Sequence, residues 1–264
     1  MPTVTIDGIK VDVQTEATIL DAAHKAGIWI PTLCYNPSLP PLAACRICMV
    51  EVDRGEWRQL VTACNYPVRR DVTVYVSSEK AVRARRGVME LLLARSPDCE
   101  QLQTLAQQMG VEGTPYPTVT ESQRNCILCG LCVSVCEEII GCSAIGFTGR
   151  GVERTVATPF RLASEDCIAC GVCAAICPVG TIQIRIHADT GEAEISPFKS
   201  RAKLLVCEAC GTRMVTEPVG EYALRMLDKV KIDWADFRER ARLCPECRRK
   251  QAAEAVGLVD VKPR

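Results

Sequence analysis

Aromatic residues, histidines and long apolar runs are all scarce in this chain of 264 residues. Phe, Trp and Tyr make up 5% of the sequence, and only two histidines are present, which excludes a histidine-rich metal site. Apolar stretches such as Val88–Ala94 are far shorter than the ~20 residues that span a bilayer. The segment Met1–Asp7 has neither the basic part nor the apolar part of a signal peptide. We therefore expect a cytoplasmic protein that is not inserted in a membrane.

Excess charge and the common cofactor and catalytic motifs are absent as well. The 32 basic and 32 acidic residues cancel, which argues against a nucleic-acid partner. No Gly-x-Gly-x-x-Gly follows a strand and no Walker-type loop is present, so the sequence predicts no site for NAD or a flavin. No nucleophile with a base and no catalytic carboxylate pair stands out. We therefore predict no catalytic residues, and we expect substrate chemistry on another polypeptide.

Cysteine, by contrast, is abundant, with 18 residues. In a reducing compartment clustered cysteines favour metal ligation over disulfides. Two copies of Cys-x2-Cys-x2-Cys-x3-Cys stand about forty residues apart, and the last cysteine of the second copy precedes Pro178. In a two-cluster ferredoxin the first three cysteines of each run bind one [4Fe–4S] cluster and the fourth binds the other. Disulfides and paired zinc knuckles are the alternatives. The predicted ligand sets are Cys126, Cys129, Cys132 with Cys177, and Cys167, Cys170, Cys173 with Cys136.

The N-terminal region predicts a β-grasp fold around another four cysteines. Apolar residues alternate on either side of Asp7-Gly8, which indicates a hairpin. Thr15 is the candidate N-cap of a helix that ends at Gly27. Strand patterns follow at 49–52 and 71–76. Four cysteines on such a fold suit a [2Fe–2S] cluster, with zinc as the competing assignment. The candidate ligands are Cys34, Cys45, Cys48 and Cys64.

On these residues the chain resembles the complex I large iron–sulfur subunit, the diaphorase small subunit of NAD-linked [NiFe] hydrogenases and the N-terminal part of [FeFe] hydrogenases. In that family the long gap after the first cysteine is normal. The resemblance also implies a helix, here Glu79–Arg95, followed by a [4Fe–4S] cluster held by one histidine and three cysteines. This chain offers only Cys99 and no histidine there. We therefore expect the helical scaffold without the cluster, and Cys99 as a packed thiol.

The C-terminal part adds two Cys-x2-Cys pairs, which such diaphorase subunits usually lack. The pairs are Cys207 with Cys210 and Cys244 with Cys247, 33 residues apart. A structural zinc site is the favoured prediction, with a third [4Fe–4S] cluster or an unmetallated site as alternatives. Helical patterns lie between the pairs, at 221–227 and 234–242. Cys142 has no partner in any motif and is read as a buried or free thiol.

The expected fold class is α+β with several domains. The expected domains are a β-grasp [2Fe–2S] ferredoxin domain (1–78), a helical linker (79–120), a double [4Fe–4S] ferredoxin domain (121–200) and a four-cysteine zinc-ribbon-like module (201–264). The resemblance implies an electron-transfer subunit of a multi-subunit NAD(P)-linked oxidoreductase, such as a hydrogenase, a formate dehydrogenase or an electron-bifurcating complex. Its implied partners are a flavin- and NAD(P)-binding subunit, and a catalytic subunit or soluble ferredoxin. A free-standing ferredoxin carrier and a cluster-based redox sensor are the alternatives.

Overall fold

A computed structural model describes residues 1–119, 125–229 and 241–256. The chain divides into two compact units. The first comprises residues 1–141, 145–157 and 172–181, and the second comprises residues 142–144, 158–171 and those from 182 onwards. No helix in the described part of the chain is both long and apolar enough to cross a membrane.

A five-stranded mixed sheet forms the N-terminal part of the first unit, in the order β2-β1-β5-β3-β4. Its strands are β1 (Thr3–Ile6), β2 (Ile9–Asp12), β3 (Met49–Asp53), β4 (Arg58–Thr62) and β5 (Val72–Tyr75). Strands β1 and β5 are parallel, and the other neighbours are antiparallel. The predicted hairpin is confirmed, with Asp7 and Gly8 at φ values of 45° and 89°, as a tight two-residue turn requires.

Helix α1 (Ile19–Lys25) packs on this sheet and begins later than the sequence pattern predicts. The assignment of Thr15 as its N-cap is wrong, because Thr18 and Asp21 form a capping box. The Asp21 amide donates to the Thr18 hydroxyl at 3.1 Å, and the Thr18 amide donates to the Asp21 carboxylate at 2.8 Å. This reciprocal pair satisfies two amides that a helix start otherwise leaves free. Four α1 side chains then enter the β-grasp core: Ile19, Leu20, Ala22 and Ala23.

Helices α2 (Glu79–Arg95) and α3 (Glu100–Gln108) follow, and α2 has the expected bounds. Their apolar faces form a second core, with Met89 and Leu102 fully buried. The same core takes in two residues of the N-terminal cysteine set, Cys34 and Cys45, and also Cys129 of the repeated motif. The helical segment is therefore a packed connection between two groups of cysteines.

The rest of the first unit is made of short elements around the repeated motif. They are α4 (Leu131–Ser134), a π-helical turn (Val135–Ile139), the hairpin β6 (Gly146–Thr148) and β7 (Thr155–Ala157), and α5 (Val172–Ala175).

The second unit contains an antiparallel sheet in the order β11-β10-β9-β8, which the sequence analysis does not predict. Its strands are β8 (Gln183–His187), β9 (Glu192–Ser196), β10 (Ser200–Val206) and β11 (Arg213–Thr216). Helix α6 (Glu217–Asp228) is longer than the predicted 221–227, and α7 (Pro245–Ala255) follows Cys244. The helix predicted at 234–242 lies almost wholly outside the described residues.

Candidate metal centres

The four N-terminal cysteines are nearly fully buried and form two pairs. Cys34 and Cys45 hydrogen bond through their side chains, and so do Cys48 and Cys64. The Cys45 amide also donates to the Cys34 sulfur at 3.4 Å. The two irons of a [2Fe–2S] cluster each take two cysteine sulfurs, so two pairs suit this cluster better than a single zinc ion does.

Each of these pairs contains one thiol that loses its proton readily. Hydrogen bonding with Cys45 lowers the pKa of Cys34 to about 6, and hydrogen bonding with Cys64 lowers the pKa of Cys48 to about 7. The pKa values of Cys45 and Cys64 are raised, by the same hydrogen bonds and by burial. One sulfur of each pair is therefore already disposed to carry the negative charge that metal ligation requires.

The sheet and helix α2 together position the second pair. Strands β3 and β4 are antiparallel with Met49 opposite Thr62, which brings Cys48 at the start of β3 close to Cys64 after the end of β4. The Arg85 guanidinium of α2 donates to the carbonyl of Met49 at 2.9 Å and to that of Val76 at 2.9 Å. The helix is thereby attached to the strand that follows Cys48.

The structure brings the first predicted [4Fe–4S] set together within the first unit. Burial is the main cause that raises the pKa values of Cys126, Cys129 and Cys132, and it raises the pKa of Cys129 to about 12. The nearby charge of Cys177 raises all three pKa values further. Cys177 comes from the other copy of the motif. Bound iron would supply the positive charge that lets these thiols ionise.

The two copies of the motif share one backbone conformation. Leu128 and Gly130 have φ values of 53° and 83°, and the equivalent Ala169 and Gly171 have 48° and 76°. Residues in the left-handed conformation turn backbone amides towards a concave, anion-binding face. In the first copy the Leu128 amide donates to the Cys126 sulfur at 3.4 Å. Both loops therefore have a backbone suited to a negatively charged cluster with its sulfurs.

The second predicted set is divided between the two units. Cys136 and Cys173 belong to the first unit, and Cys167 and Cys170 to the second. Cys136 lies in the π-helical turn, a local irregularity that is frequent at functional sites. This ligand set stays a prediction from the motif spacing.

The N-terminal set and the first [4Fe–4S] set are neighbours. Cys34 and Cys129 lie in one buried core, and the charge of Cys34 contributes to the raised pKa of Cys129. Leu42, from the long loop between Cys34 and Cys45, lies against Gly130, where an added Cβ would come 3.0 Å from its Cδ1 atom. The long first gap in the cysteine spacing therefore supplies a contact with the repeated motif.

Cys99 is a packed thiol at the start of α3, as expected. It is 7% exposed, donates to Gln101 Oε1 at 3.3 Å and lies 3.9 Å from the carbonyl oxygen of Val179. In the described part of the chain it joins no close group of three metal-ligating side chains. Cys142 is half-buried. All 18 cysteines lie within the described residues, and none of them forms a disulfide.

The C-terminal cysteines form the tightest sulfur group among the described residues. The sulfurs of Cys207, Cys210, Cys244 and Cys247 all lie within 4.8 Å of one another, with 3.7 Å between Cys210 and Cys244. The Cys244 amide donates to the Cys207 sulfur at 3.2 Å, and this bond is the main cause that lowers the pKa of Cys207 to about 6. The set has the four soft ligands of a tetrahedral site.

Two residues at these sites were not found by sequence reasoning. The Arg95 guanidinium donates to the Cys126 carbonyl at 2.6 Å and to the Arg154 carbonyl at 3.1 Å. The Thr216 hydroxyl donates to the Ile168 carbonyl at 2.7 Å. Thr216 before Glu-Pro carries a helix-cap signal, but nothing local indicates its distant partner.

Two stretches of the chain match known protein families. Residues 1–79 match a 2Fe-2S iron-sulfur cluster binding domain, and residues 125–181 match a 4Fe-4S dicluster domain. Together with the four-cysteine group, these matches confirm the predicted fold class.

Among curated proteins, the chain is 38% identical to the NADPH-Fe(3+) oxidoreductase subunit alpha of Geobacter sulfurreducens, over 60% of this chain and 21% of that protein. It is 36% identical to the NADP-reducing hydrogenase subunit HndD of Solidesulfovibrio fructosivorans, over 61% and 32%. It is 28% identical to the mitochondrial NADH-ubiquinone oxidoreductase 78 kDa subunit of Candida albicans, over 90% and 36%. The chain thus spans between about a fifth and a third of the length of these relatives.

Among solved structures, a chain of the NAD+-reducing [NiFe]-hydrogenase in the H2-reduced state is similar, with a TM-score of 0.56 and 29% identity. The match covers 68% of this chain and 85% of the hydrogenase chain. The resemblance drawn from the cysteine motifs is thereby confirmed: over part of its length this chain is similar to subunits of an NADPH-Fe(3+) oxidoreductase, an NADP-reducing hydrogenase, NADH-ubiquinone oxidoreductase and an NAD+-reducing [NiFe]-hydrogenase.

Proposed function

We propose that the chain is an electron-transfer subunit of a multi-subunit NAD(P)-linked oxidoreductase. It would relay electrons between a flavin- and NAD(P)-binding subunit and either a catalytic subunit or a soluble ferredoxin. Such a relay is needed because a flavin accepts electron pairs from hydride, whereas many distal centres accept one electron at a time. The relatives are hydrogenase, Fe(3+) reductase and complex I-like subunits, which supports this class of complex.

The observation that carries the proposal is the shared core of the first two cysteine sets. Cys34 and Cys129 are 2% and 6% exposed and lie among the same apolar side chains. Clusters bound by these sulfurs would supply one-electron redox chemistry. The residues around them exclude water and hold the two sites next to each other, as a relay requires.

The proposed ligands follow the predicted sets. Cys34, Cys45, Cys48 and Cys64 would hold a [2Fe–2S] cluster, and the two crossed sets of the repeated motif would hold one [4Fe–4S] cluster each. The proposed domains are those expected from the sequence, with the sheet β8–β11 extending across the boundary at residue 200. We also propose a cytoplasmic location.

For the C-terminal set we propose zinc. With Zn–S bonds of ~2.3 Å, tetrahedral geometry places the four sulfurs ~3.8 Å apart. An iron–sulfide cubane lies between its four cysteine sulfurs and keeps them roughly 6 Å apart. The upper limit of 4.8 Å between the sulfurs, and the 3.7 Å between Cys210 and Cys244, therefore fit a single ion. Zinc has no redox chemistry, so this site would be structural.

Metal analysis of anaerobically prepared protein tests these assignments. We expect about ten iron atoms per chain, from one [2Fe–2S] and two [4Fe–4S] clusters, and about one zinc. About fourteen irons without zinc would show that the C-terminal site holds a third cubane. EPR of the reduced protein should show one [2Fe–2S] signal and two [4Fe–4S] signals. The Cys207→Ser variant is the matched control, since it should lose zinc and keep all the iron.

Isolation from the native cell under anaerobic conditions tests the role in a complex. A tagged chain should co-purify in a fixed ratio with a flavoprotein, and NADH or NADPH should reduce its clusters only in that complex. Recovery of a monomer that accepts electrons from soluble partners would instead support a free-standing ferredoxin carrier.

A further inference from the structure

Within the second unit, a buried hydrogen bond joins the C-terminal four-cysteine module to the loop that begins at Cys167. Thr216 is 3% exposed, and its hydroxyl donates to the backbone carbonyl of Ile168 at 2.7 Å. Thr216 ends β11 and occupies the N-cap position of α6 without a side-chain capping bond, whereas Ile168 lies between Cys167 and Cys170, 48 residues earlier. A threonine of the sheet thus holds a peptide group of a predicted cluster loop.

This peptide group has a counterpart in the first copy of the motif, and the amide of that counterpart faces a cysteine sulfur. A trans peptide is planar, so fixing the Ile168 carbonyl also fixes the Ala169 amide, which points the opposite way. Leu128 is the counterpart of Ala169, and its amide donates to the Cys126 sulfur at 3.4 Å. The two residues have similar φ values of 53° and 48°. By this equivalence we expect the Ala169 amide to donate to the Cys167 sulfur when a cluster is bound there.

Strand β11 starts at Arg213, three residues after Cys210 of the four-cysteine site. Cys207 follows β10, and its amide donates to the Thr212 carbonyl at 2.9 Å, which closes the turn that contains Cys210. Strand β11 then pairs with β10, with Thr216 opposite Leu204. A metal ion bound at this turn therefore fixes the hairpin that places the Thr216 hydroxyl.

We propose that Thr216 is a positioning residue through which the C-terminal metal hairpin tunes the redox potential of the [4Fe–4S] cluster assigned to the Cys167 loop. This inference rests on the proposed function, because it requires that the cluster is present. Amide hydrogen bonds to cluster and cysteine sulfurs stabilise the more negative, reduced state and so raise the reduction potential. Loss of the Thr216 hydroxyl frees the Ile168–Ala169 peptide, weakens that donor and lowers the potential of this cluster alone.

Redox titration followed by EPR on the anaerobic full-length protein tests the proposal. Thr216→Val keeps the shape of the side chain and removes the donor, whereas Thr216→Ser keeps the hydroxyl. We expect Thr216→Val to shift one of the two [4Fe–4S] signals to lower potential and to leave the other and the [2Fe–2S] signal unchanged. Thr216→Ser should restore the wild-type value. Thr190→Val is the matched control, since Thr190 is exposed and its hydroxyl bonds to nearby Glu192 at 3.2 Å.

Several results would overturn the proposal. One is a Thr216→Val protein with wild-type potentials. Another is a Thr216→Ser protein with an altered potential, and this second result decides the question even if the Thr216→Val protein does not take up the cluster. Removal of zinc by a chelator should lower the same potential, and an unchanged potential would refute the coupling to the hairpin. A wild-type protein with only one [4Fe–4S] cluster by iron content would instead refute the cluster assignment itself.

Discussion

Arg95 offers a sharp test of how the first proposed [4Fe–4S] site is held. Its guanidinium, at the C-terminal end of α2, donates to the carbonyls of Cys126 and Arg154 at 2.6 and 3.1 Å. Substitution by Met keeps the length and the apolar stem and removes both donors. Hydrogen bonds from charged groups contribute ~1.5–3 kcal/mol each, and at this half-exposed position water replaces part of that. We therefore expect a loss of about 2 kcal/mol, which corresponds to roughly thirtyfold in an equilibrium or rate constant.

The rate of cluster loss in urea, followed anaerobically by absorbance and EPR, measures this effect, because cluster release makes unfolding irreversible. Arg95→Met should lose the first [4Fe–4S] signal up to roughly thirtyfold faster than the wild type. Arg86→Met, on the same helix, is the control: Arg86 is exposed and pairs with Glu90 at 3.6 Å. Such a pair contributes ~0.3–0.5 kcal/mol, so the control should change the rate by about twofold. Equal rates in the two variants would refute the role assigned to Arg95.

Three further substitutions, two of them with a control variant, test other parts of the fold. Gly130→Ala places a Cβ at φ 83° and 3.0 Å from Leu42 and should speed unfolding in urea by up to the equivalent of about 1–3 kcal/mol, whereas Gly87→Ala in α2, with open space around it, should slow unfolding by up to the equivalent of ~0.5–1 kcal/mol. Met89→Ala removes a fully buried side chain and should lower the stability of the fold by ~2–5 kcal/mol. Leu91 is exposed, so Leu91→Ala is the control, and an equally small loss of stability in both variants would contradict the packing of the second core. Burial raises the pKa of Glu194, but Arg201 and then His187 outweigh it, so the pKa is lowered in the fold. The stability that Glu194 contributes is therefore present above the ordinary carboxyl value of ~4.3 and lost as the pH falls through the lower folded value. Circular dichroism should show a weaker acid dependence in Glu194→Gln.

Local patterns in the sequence were enough to predict several elements of the fold. The Asp7-Gly8 turn, the long α2 and the cysteine spacings each carry their signal within a few residues. The hairpin of β8 and β9 also had such a signal, since alternating residues flank Thr190 and Gly191. The sequence analysis does not predict this hairpin, and in the structure Ile184 and Ile186 are about half exposed, so their alternation marks no buried face.

Contacts between distant segments could not be predicted, because no local pattern specifies them. Arg95 and Cys126 are 31 residues apart, and Thr216 and Ile168 are 48 apart. The pairing of cysteine sulfurs in the N-terminal set and the close group at the C-terminus depend in the same way on the folded sheet. Spacing predicted which cysteines form a set, whereas only the fold shows whether the sulfurs form two pairs or one compact group.

Helix α2 holds backbone groups beside two of the predicted cysteine sets. Arg85 on α2 binds the carbonyl next to Cys48, and Arg95 on the same helix binds the carbonyl of Cys126. Ten residues of helix at 1.5 Å per residue separate the two arginines by ~15 Å. Between them, Met89 packs into the core that holds both Cys34 and Cys129. The helix thus sets the separation between the N-terminal cysteine set and the first set of the repeated motif, through arginine hydrogen bonds and apolar packing.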